Sequence, residues 1–327
     1  MRIGVVGTGA IAREVLPLLR GWGIEPCALC GTPRSRSAVE ELCRANGVRE
    51  GFCDYGEMLA AADADAVYVA VPNHLHFALA KQALEAGKHV IVEKPLTASD
   101  RESAALARLA KERSLFLFEA ISTLYLPNYR KIRELLPRIG AVRLVSCNFS
   151  QYSRRYDEFR KGNILPVFDP ERAGGALMDL NIYNLHYIMG LFGRAKTVRY
   201  QANIERGIDT GGIVTMDYGS FQAVAIAAKD CSAPASCVIQ GTEGCILQST
   251  PANTCGAVTL RLRDGTEETY DEQPASRLEP EFRYFAQEIR SGDRTGCYEM
   301  LSRSLAVSEA QTEARAGAGI RFPADGE

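Results

Sequence analysis

The sequence predicts an α/β fold in which an N-terminal doubly wound parallel sheet is followed by a C-terminal α+β domain with an open, mostly antiparallel sheet. Through the first 120 residues, short apolar strands alternate with amphipathic helices, which is typical of a parallel sheet covered on both faces. After Glu119 the pattern changes to long alternating strands separated by turn signals. A length of 327 residues also suggests about two domains, so we divide the chain into 1–120 and 121–327.

The N-terminal part is predicted from apolar runs and helical periodicity taken in chain order. Strands are expected at Arg2–Val6, Glu25–Cys30, Gly51–Asp54, Ala66–Val71, His89–Val92 and Leu115–Glu119. The intervening helices are expected at Ala10–Arg20, Ser37–Asn46, Tyr55–Ala61, His74–Ala86 and Ala98–Arg113.

The C-terminal part is predicted as an antiparallel meander because turn signals such as Tyr218-Gly219-Ser220 separate its strands. The strands are expected at 143–152, 197–205, 212–218, 222–229, 236–240, 245–249, 258–263 and 267–270. The helices are expected at 127–136, 176–192, 279–290 and 299–316.

Composition excludes several classes of protein. The chain is 46% hydrophobic and 24% charged, as is usual for a globular protein, and its formal charge is -2. This charge gives no basic surface for nucleic acid, and no apolar run reaches the roughly 18 residues that span a bilayer. We therefore expect a small-molecule substrate and neither a nucleic-acid nor a membrane partner.

Ten cysteines are scattered through the predicted strands and helices. Cys27 and Cys30 form a C-x-x-C within a strand, where residues three apart point to opposite faces. No second such pair and no nearby histidine completes a zinc set. We therefore expect no metal site, and instead reduced thiols in a cytoplasmic protein.

A glycine-rich turn follows the first predicted strand and opens the first helix, with the sequence Gly7-Thr8-Gly9-Ala10-Ile11-Ala12. This G-x-G-x-x-A pattern is a dinucleotide-binding fingerprint: Gly7 permits the tight turn, and Gly9 allows the backbone to approach a pyrophosphate at the helix N-terminus. The alternative is an ordinary glycine turn in an α/β domain. The flanking strand and helix favour the binding site.

The segment after the second strand indicates which dinucleotide is bound. An NAD site usually has Asp or Glu here, but this chain has Thr32, Arg34 and Arg36 with no carboxylate. Guanidinium groups bind phosphate well, so NADP(H) is favoured over NAD(H). The alternative is that both arginines begin the next helix in solvent.

Three further motifs combine with this fingerprint. They are Ala70-Val71-Pro72-Asn73-His74-Leu75-His76, Val92-Glu93-Lys94-Pro95-Leu96 and Gly174-Gly175-Ala176-Leu177-Met178-Asp179-Leu180-Asn181-Ile182-Tyr183. Together they resemble the Gfo/Idh/MocA oxidoreductases, in the branch of glucose–fructose oxidoreductase and dihydrodiol dehydrogenase, over nearly the whole chain. The resemblance implies a Rossmann NAD(P)-binding domain in 1–120 and a substrate-binding and oligomerisation domain in 121–327.

The resemblance also implies roles for individual residues. Lys94 would point to the nicotinamide and to the reacting oxygen of the substrate, and the Lys94–Pro95 bond is a candidate for the cis form. Pro72, Asn73 and His76 would line the cofactor groove, with Glu93 near the nicotinamide ribose. Asp179 and Tyr183 would form the catalytic motif of the second domain, with Tyr183 at the position where many members have His.

The chemistry of these residues is consistent with hydride transfer. Oxidation of an alcohol requires loss of its hydroxyl proton, and free tyrosine, with a pKa of about 10, is a poor base at neutral pH. A lysine such as Lys94 close by would favour the phenolate, while Asp179 could orient Lys94 or the substrate. The alternative for Tyr183 is a packed aromatic with a hydrogen-bonded hydroxyl.

Two further residues, His186 and Arg155, are candidates for substrate contact, and each also has a purely structural interpretation. His186 shares a helix face with Asp179, and could be either a substrate ligand or a core histidine. Arg155 lies in a basic segment, 153–161, which could hold an anionic substrate or form a solvated loop.

The sequence thus predicts an NAD(P)-dependent oxidoreductase acting on a sugar, a polyol or a related cyclic alcohol or carbonyl. A non-catalytic dinucleotide-binding regulator and an NAD-dependent glycosidase that uses transient oxidation are the alternatives. The open second sheet, which commonly pairs subunits in this family, predicts a homodimer or homotetramer.

Overall fold

The computed structural model describes residues 1–326, and the chain divides into two compact units. The first unit comprises Met1–Ala120 and Glu281–Ser302. The second comprises Ile121–Pro280 and the residues from Arg303 onward.

The first unit is built on a six-stranded sheet in which every strand pair is parallel. Its strands are Arg2–Val6 (β1), Glu25–Cys30 (β2), Glu50–Phe52 (β3), Ala66–Val69 (β4), His89–Glu93 (β5) and Leu117–Ala120 (β6). The spatial order is β3-β2-β1-β4-β5-β6, so the winding reverses between β1 and β4. This confirms the doubly wound sheet, and a reversal of this kind opens a crevice at the carboxyl ends of the two strands.

Five helices connect the strands of this sheet. They are Ala10–Val15 (α1), Arg36–Asn46 (α2), Tyr55–Ala61 (α3), His76–Glu85 (α4) and Asp100–Glu112 (α5). The prediction that α1 continues to Arg20 is wrong, because Pro17 has no N–H to continue the helical hydrogen bonding. A separate 3₁₀ turn, Leu19–Trp22, follows.

The second unit contains an eight-stranded sheet. Its strands are Val142–Ser150 (β7), Thr197–Glu205 (β8), Ile208–Asp217 (β9), Gln222–Ala228 (β10), Ser236–Gly241 (β11), Gly244–Gln248 (β12), Val258–Leu262 (β13) and Glu267–Tyr270 (β14). The order is β14-β13-β12-β11-β7-β10-β9-β8. The mostly antiparallel sheet is therefore confirmed.

The expectation of a simple meander needs one correction. β7 lies between β10 and β11, parallel to β10 and antiparallel to β11. This position gives β7 hydrogen-bonding partners along both edges and buries its inward side chains Val145, Cys147 and Phe149. The opposite face is more open, with Leu144 48% exposed.

Three helices of the second unit are Pro127–Leu135 (α6), Arg154–Arg160 (α7) and Ile182–Phe192 (α8). The expected single helix 176–192 instead begins with a π-helical turn, Leu177–Asn181, before α8. The side chain of Asn184 in α8 donates to the β10 carbonyl of Ile226 over 3.0 Å, which fixes the helix on the sheet.

The last two helices are Glu279–Ser291 (α9) and Thr295–Gly317 (α10). Phe282 of α9 packs on Trp22 and Tyr68, with ring centroids 5.6 and 5.2 Å away, while Phe285 stacks on Phe118 at 4.6 Å. These contacts explain why residues from the C-terminal part of the chain belong to the first unit. No helix within residues 1–326 is long and apolar enough to cross a bilayer.

Candidate active site

The glycine-rich turn lies between β1 and α1 at the carboxyl edge of the first sheet. Gly7 has a φ of 117°, and a side chain there would collide with the carbonyl oxygen of Ala70. Gly9 is the N-cap of α1, without a side-chain capping bond, and the space where its Cβ would point is open. A turn with uncapped amide groups and open space fits the pyrophosphate of a dinucleotide.

The neighbouring residues of this turn leave the approach clear. Thr8 and Ile11 are half-buried, Ala10 is exposed, and Ala12 is completely buried against the sheet. The only side-chain bond to Thr8 is made to its carbonyl oxygen by Arg13, over 3.3 Å, within the described residues 1–326.

The turn after β2 is shaped by a hydroxyl pair. The amide of Thr32 donates to Ser35 Oγ over 2.8 Å, and the two hydroxyl oxygens lie 3.2 Å apart. Arg34 and Arg36 are both exposed, and neither guanidinium forms an ion pair in the part of the chain that the structure describes. The turn therefore presents two positive charges and no carboxylate.

Two motifs of the first unit meet at His76. The ring is completely buried; its Nδ1 lies 2.7 Å from the carbonyl oxygen of Pro95, and its Nε2 lies 2.9 Å from that of Val71. Burial lowers the pKa of His76. The ring therefore holds the segment of Pro72 and Asn73 against the Lys94–Pro95 peptide, rather than presenting a nitrogen to a ligand.

Lys94 follows β5 and is half-buried, and the Lys94–Pro95 bond is cis. Its amide donates to Glu93 Oε2 over 3.3 Å, while Glu93 Oε1 accepts a hydrogen bond from Tyr68. On the other side, the buried Glu119 accepts from the Leu96 amide over 2.9 Å. Glu119 was not predicted as a site residue, and it fixes the backbone just after Lys94.

The second unit places its motif at the start of α8. Gly175 has a φ of 101°, and a side chain there would collide with the carboxylate of Asp209. That carboxylate accepts from the Leu177 amide over 2.7 Å and from the Tyr200 hydroxyl over 2.8 Å. Asp209 is completely buried, and burial raises its pKa to about 6. It anchors the backbone of the π-helical turn that carries Asp179.

Asp179 is 31% exposed in its side chain and pairs with Lys229, whose side chain is 4% exposed. Neither Lys229 nor Asp209 was singled out in the sequence, because Asp209 on β9 and Lys229 just after β10 are both far along the chain from the motif that they support. The only signal in the sequence was that each is a charged residue at the end of, or beside, a predicted strand whose inward positions are otherwise apolar.

Tyr183 lies on α8, four residues after Asp179, and is 8% exposed. Its ring packs on Phe149, with centroids 6.0 Å apart. Phe149 also lines a cavity of about 500 Å³ within the second unit, at the end of β7. The cavity therefore adjoins the aromatic pair that contains the predicted catalytic tyrosine.

The lining of this cavity combines apolar and neutral polar groups. Gln151, Ser232, Asn253 and Thr254 provide amides and hydroxyls, and the lining residues include no charged side chain. Asn253 Oδ1 is buried and has no hydrogen-bond partner among residues 1–326. These residues come from three loops and were not predicted.

The remaining two candidates lie in different surroundings. His186 is 1% exposed, which fits the core-histidine alternative. Arg155 is exposed on α7, so the basic segment is a short helix rather than the expected loop. Within residues 1–326, no group of three or more His, Cys, Asp or Glu side chains is arranged to hold a metal ion.

Comparison with known proteins agrees with this geometry. Residues 1–121 match the family model GFO_IDH_MocA, described as an oxidoreductase family with an NAD-binding Rossmann fold. Residues 129–247 match the GFO/IDH/MocA C-terminal domain. The chain belongs to this family.

Relatives within the Gfo/Idh/MocA family include enzymes that act on polyols and sugars. The chain is 34% identical to scyllo-inositol 2-dehydrogenase (NADP(+)) IolU of Bacillus subtilis, over 99% of both proteins. It is 28% identical to D-xylose 1-dehydrogenase (NADP(+)) 2 of Haloferax volcanii, over 98% of this chain and 100% of that protein.

A solved structure with the same fold is a 3-ketoreductase from Actinomadura kijaniata in complex with NADP and TDP-benzene. It superposes with a TM-score of 0.84 at 26% identity and covers 98% of each chain. The predicted family and fold class are therefore confirmed.

Proposed function

We propose that this protein is an NADP-dependent oxidoreductase that interconverts a hydroxyl group and a carbonyl group on a neutral sugar or polyol. The observation that carries the substrate class is the uncharged cavity lined by Phe149, on whose ring Tyr183 packs. The lining residues offer no cation to a phosphate or carboxylate group that entered the cavity, and desolvating such a charge without a partner costs several kcal/mol. A polyhydroxylated ring instead matches the amides, hydroxyls and apolar surfaces of the lining.

The proposed chemistry divides between three side chains. Tyr183 accepts the hydroxyl proton in oxidation and returns it in reduction. The ammonium of Lys94 stabilises negative charge on the reacting oxygen, and Asp179 accepts a hydrogen bond from a substrate hydroxyl. The nicotinamide of NADP, when bound, supplies the hydride acceptor or donor.

NADP is proposed as the cofactor because Arg34 and Arg36 are exposed beside the turn after β2, where no carboxylate competes. The relatives that act on scyllo-inositol and D-xylose are named for NADP(+). Gly7, Gly9 and the amides of Thr8, Ala10 and Ile11 would hold the pyrophosphate, with Thr32 beside the 2′-phosphate. Pro72, Asn73 and Glu93 would lie along the nicotinamide half.

Substitution of Arg34 tests the cofactor preference. We expect Arg34→Ala to weaken NADPH binding by about tenfold to a hundredfold, since a charge-assisted hydrogen bond to phosphate is lost, and to leave NADH binding unchanged. The measurement is a fluorescence titration with each cofactor. Arg44→Ala, which removes an exposed arginine near the end of α2, is the control. Equal losses for NADPH and NADH would contradict the assignment.

The substrate class is tested with purified protein and NADP⁺. Inositols and aldoses are compared with glucose 6-phosphate and a TDP-sugar, and NADPH formation is measured by absorbance. We expect kcat/KM for the neutral compounds to exceed that for the phosphorylated ones by about a hundredfold. Asn253→Leu should lower it by about tenfold, whereas Asn203→Leu on the exposed edge strand should not.

Other outcomes of this experiment point to the alternatives. Faster turnover of the charged compounds would overturn the neutral substrate class. Tight NADPH binding without turnover of any alcohol or carbonyl would favour a regulatory protein. Cleavage of a glycoside added to the same assay, with no net change in NADP⁺, would favour the glycosidase.

We propose that residues 1–120 form the NAD(P)-binding domain and that 121–327 serve substrate binding and oligomerisation. The open face of the second sheet, where Leu144 and Ile213 are 48% and 39% exposed, supports a homodimer or homotetramer. Light scattering that gives a monomer at micromolar concentration would contradict this.

The ten free cysteines support a cytoplasmic location.

A further inference from the structure

Lys229 is a buried lysine whose position is set by the sheet of the second unit. It follows β10 directly, and its amide donates to the carbonyl of Thr210 over 2.7 Å. Its own carbonyl accepts from the amide of Ser153 over 2.9 Å. The backbone is therefore hydrogen-bonded on both sides, which leaves the side chain a narrow range of directions.

The Lys229 ammonium lies where a charge requires a partner. The side chain is 4% exposed, and the nitrogen lies 5.7 Å from the ring centroid of Phe168. An isolated ammonium in such surroundings costs several kcal/mol, so the nearby anion determines where it rests. The carboxylate of Asp179 forms a direct ion pair with Lys229, while the buried Asp209 is near enough for the Lys229 charge to act against the rise of its pKa but makes no ion pair with it.

Asp179 is held from two directions. Asp209 fixes the backbone of its π-helical turn through the Leu177 amide, as described above. Lys229 fixes the carboxylate itself, which remains 31% exposed. A carboxylate that is both fixed and accessible is suited to orient a bound hydroxyl group.

We propose that Lys229 is a positioning residue for the reaction, holding the Asp179 carboxylate in the orientation that receives a substrate hydroxyl beside Tyr183. This rests on the proposed function. It also gives Asp179 a lysine partner from its own unit, whereas the sequence suggests that Asp179 orients Lys94 or the substrate.

The first test is Lys229→Met, which keeps the length of the side chain and removes its charge. We expect kcat to fall by about tenfold to a hundredfold, because small errors in the placement of a reacting group reduce the rate strongly, while the Kd of NADPH stays unchanged. Lys131→Met is the matched control. Lys131 also contacts a carboxylate, Glu134 at 2.9 Å, and a ring, Tyr270 at 4.7 Å, but is 32% exposed. Full kcat in Lys229→Met would overturn the proposal.

A double-mutant cycle separates positioning from general damage to the fold. If Lys229 acts through Asp179, the variant Asp179→Asn/Lys229→Met loses no more kcat than Asp179→Asn alone. If the kcat losses of the two single variants multiplied in the double variant, the proposal would be overturned.

Thermal unfolding tests the same pairing without depending on activity. The double variant, which carries neither charge, should unfold at a higher temperature than Lys229→Met, which leaves Asp179 without its cation. Equal unfolding temperatures would contradict the pairing. If the unsubstituted enzyme turns over no alcohol or carbonyl, the proposed function fails, and this comparison still decides whether Lys229 holds Asp179.

Discussion

Tyr183→Phe is expected to lower kcat by about a hundredfold to ten-thousandfold, the range for loss of a general acid–base group. The substitution removes only the hydroxyl, and the ring contact with Phe149 at a centroid distance of 6.0 Å is kept. The cavity next to this pair should therefore still bind substrate. The expected pattern in steady-state kinetics is a large fall in kcat, with little change in KM or in NADPH affinity.

The matched control lies one helical turn further along α8. Tyr187 is completely buried, and its hydroxyl has no hydrogen-bond partner among residues 1–326. Tyr187→Phe therefore removes an unsatisfied polar group and should retain activity, with equal or slightly greater stability. If Tyr183→Phe kept the original kcat, the proton-transfer role would be excluded and the packed-aromatic alternative would stand.

Lys94→Met should lower kcat by about a hundredfold to a thousandfold, the loss found when one group that stabilises developing charge on oxygen is removed. Lys94 is half-buried at the carboxyl end of β5, and Glu93 and Leu96 on either side of it are held by hydrogen bonds. The substitution should therefore change the reacting groups and not the backbone. Rates with saturating cofactor and substrate are the measurement.

Lys88 is the matched control for Lys94. It precedes the same strand, is also half-buried, and donates to the Ala64 carbonyl over 2.9 Å. Lys88→Met should reduce stability slightly and leave kcat unchanged. Similar falls in kcat for both variants would mean that the effect comes from damage to β5 and not from the Lys94 ammonium.

Elements with strong local signals were predicted closely. The bounds of Tyr55–Ala61 and Glu267–Tyr270 agree with those in the structure. The predicted end of α1 is wrong by several residues, because the apolar periodicity continues past Pro17 although proline cannot continue the helical hydrogen bonding. The position of β7 between β10 and β11 was also missed, since a strand's own residues do not specify which distant edge it will join.

The residues of the candidate site also divide into those with a local signal in the sequence and those brought together only by the fold. Lys94 in one short motif, and Asp179 and Tyr183 in another, could be singled out because those motifs resemble the family's, and the resemblance implies their roles. The contacts that hold Asp179 and its turn join residues 50 and 32 positions apart, Lys229 with Asp179 and Asp209 with Leu177. The cavity beside Phe149 is likewise lined by three separate loops.

From the sequence alone came the parallel and antiparallel sheets, the glycine turn for a dinucleotide and the motif residues of the oxidoreductase family. The sheets and the glycine turn depend on periodicity and short spacing, which the chain carries locally, whereas the roles of the motif residues follow from the resemblance to the family. Only the tertiary structure decided that β7 lies within the second sheet, that α9 packs on the first unit, and that Lys229 rather than a neighbour in sequence holds Asp179. Burial of apolar surface determines which distant segments pack together. A charged group or amide that is buried with them must then be paired with a group on one of those segments.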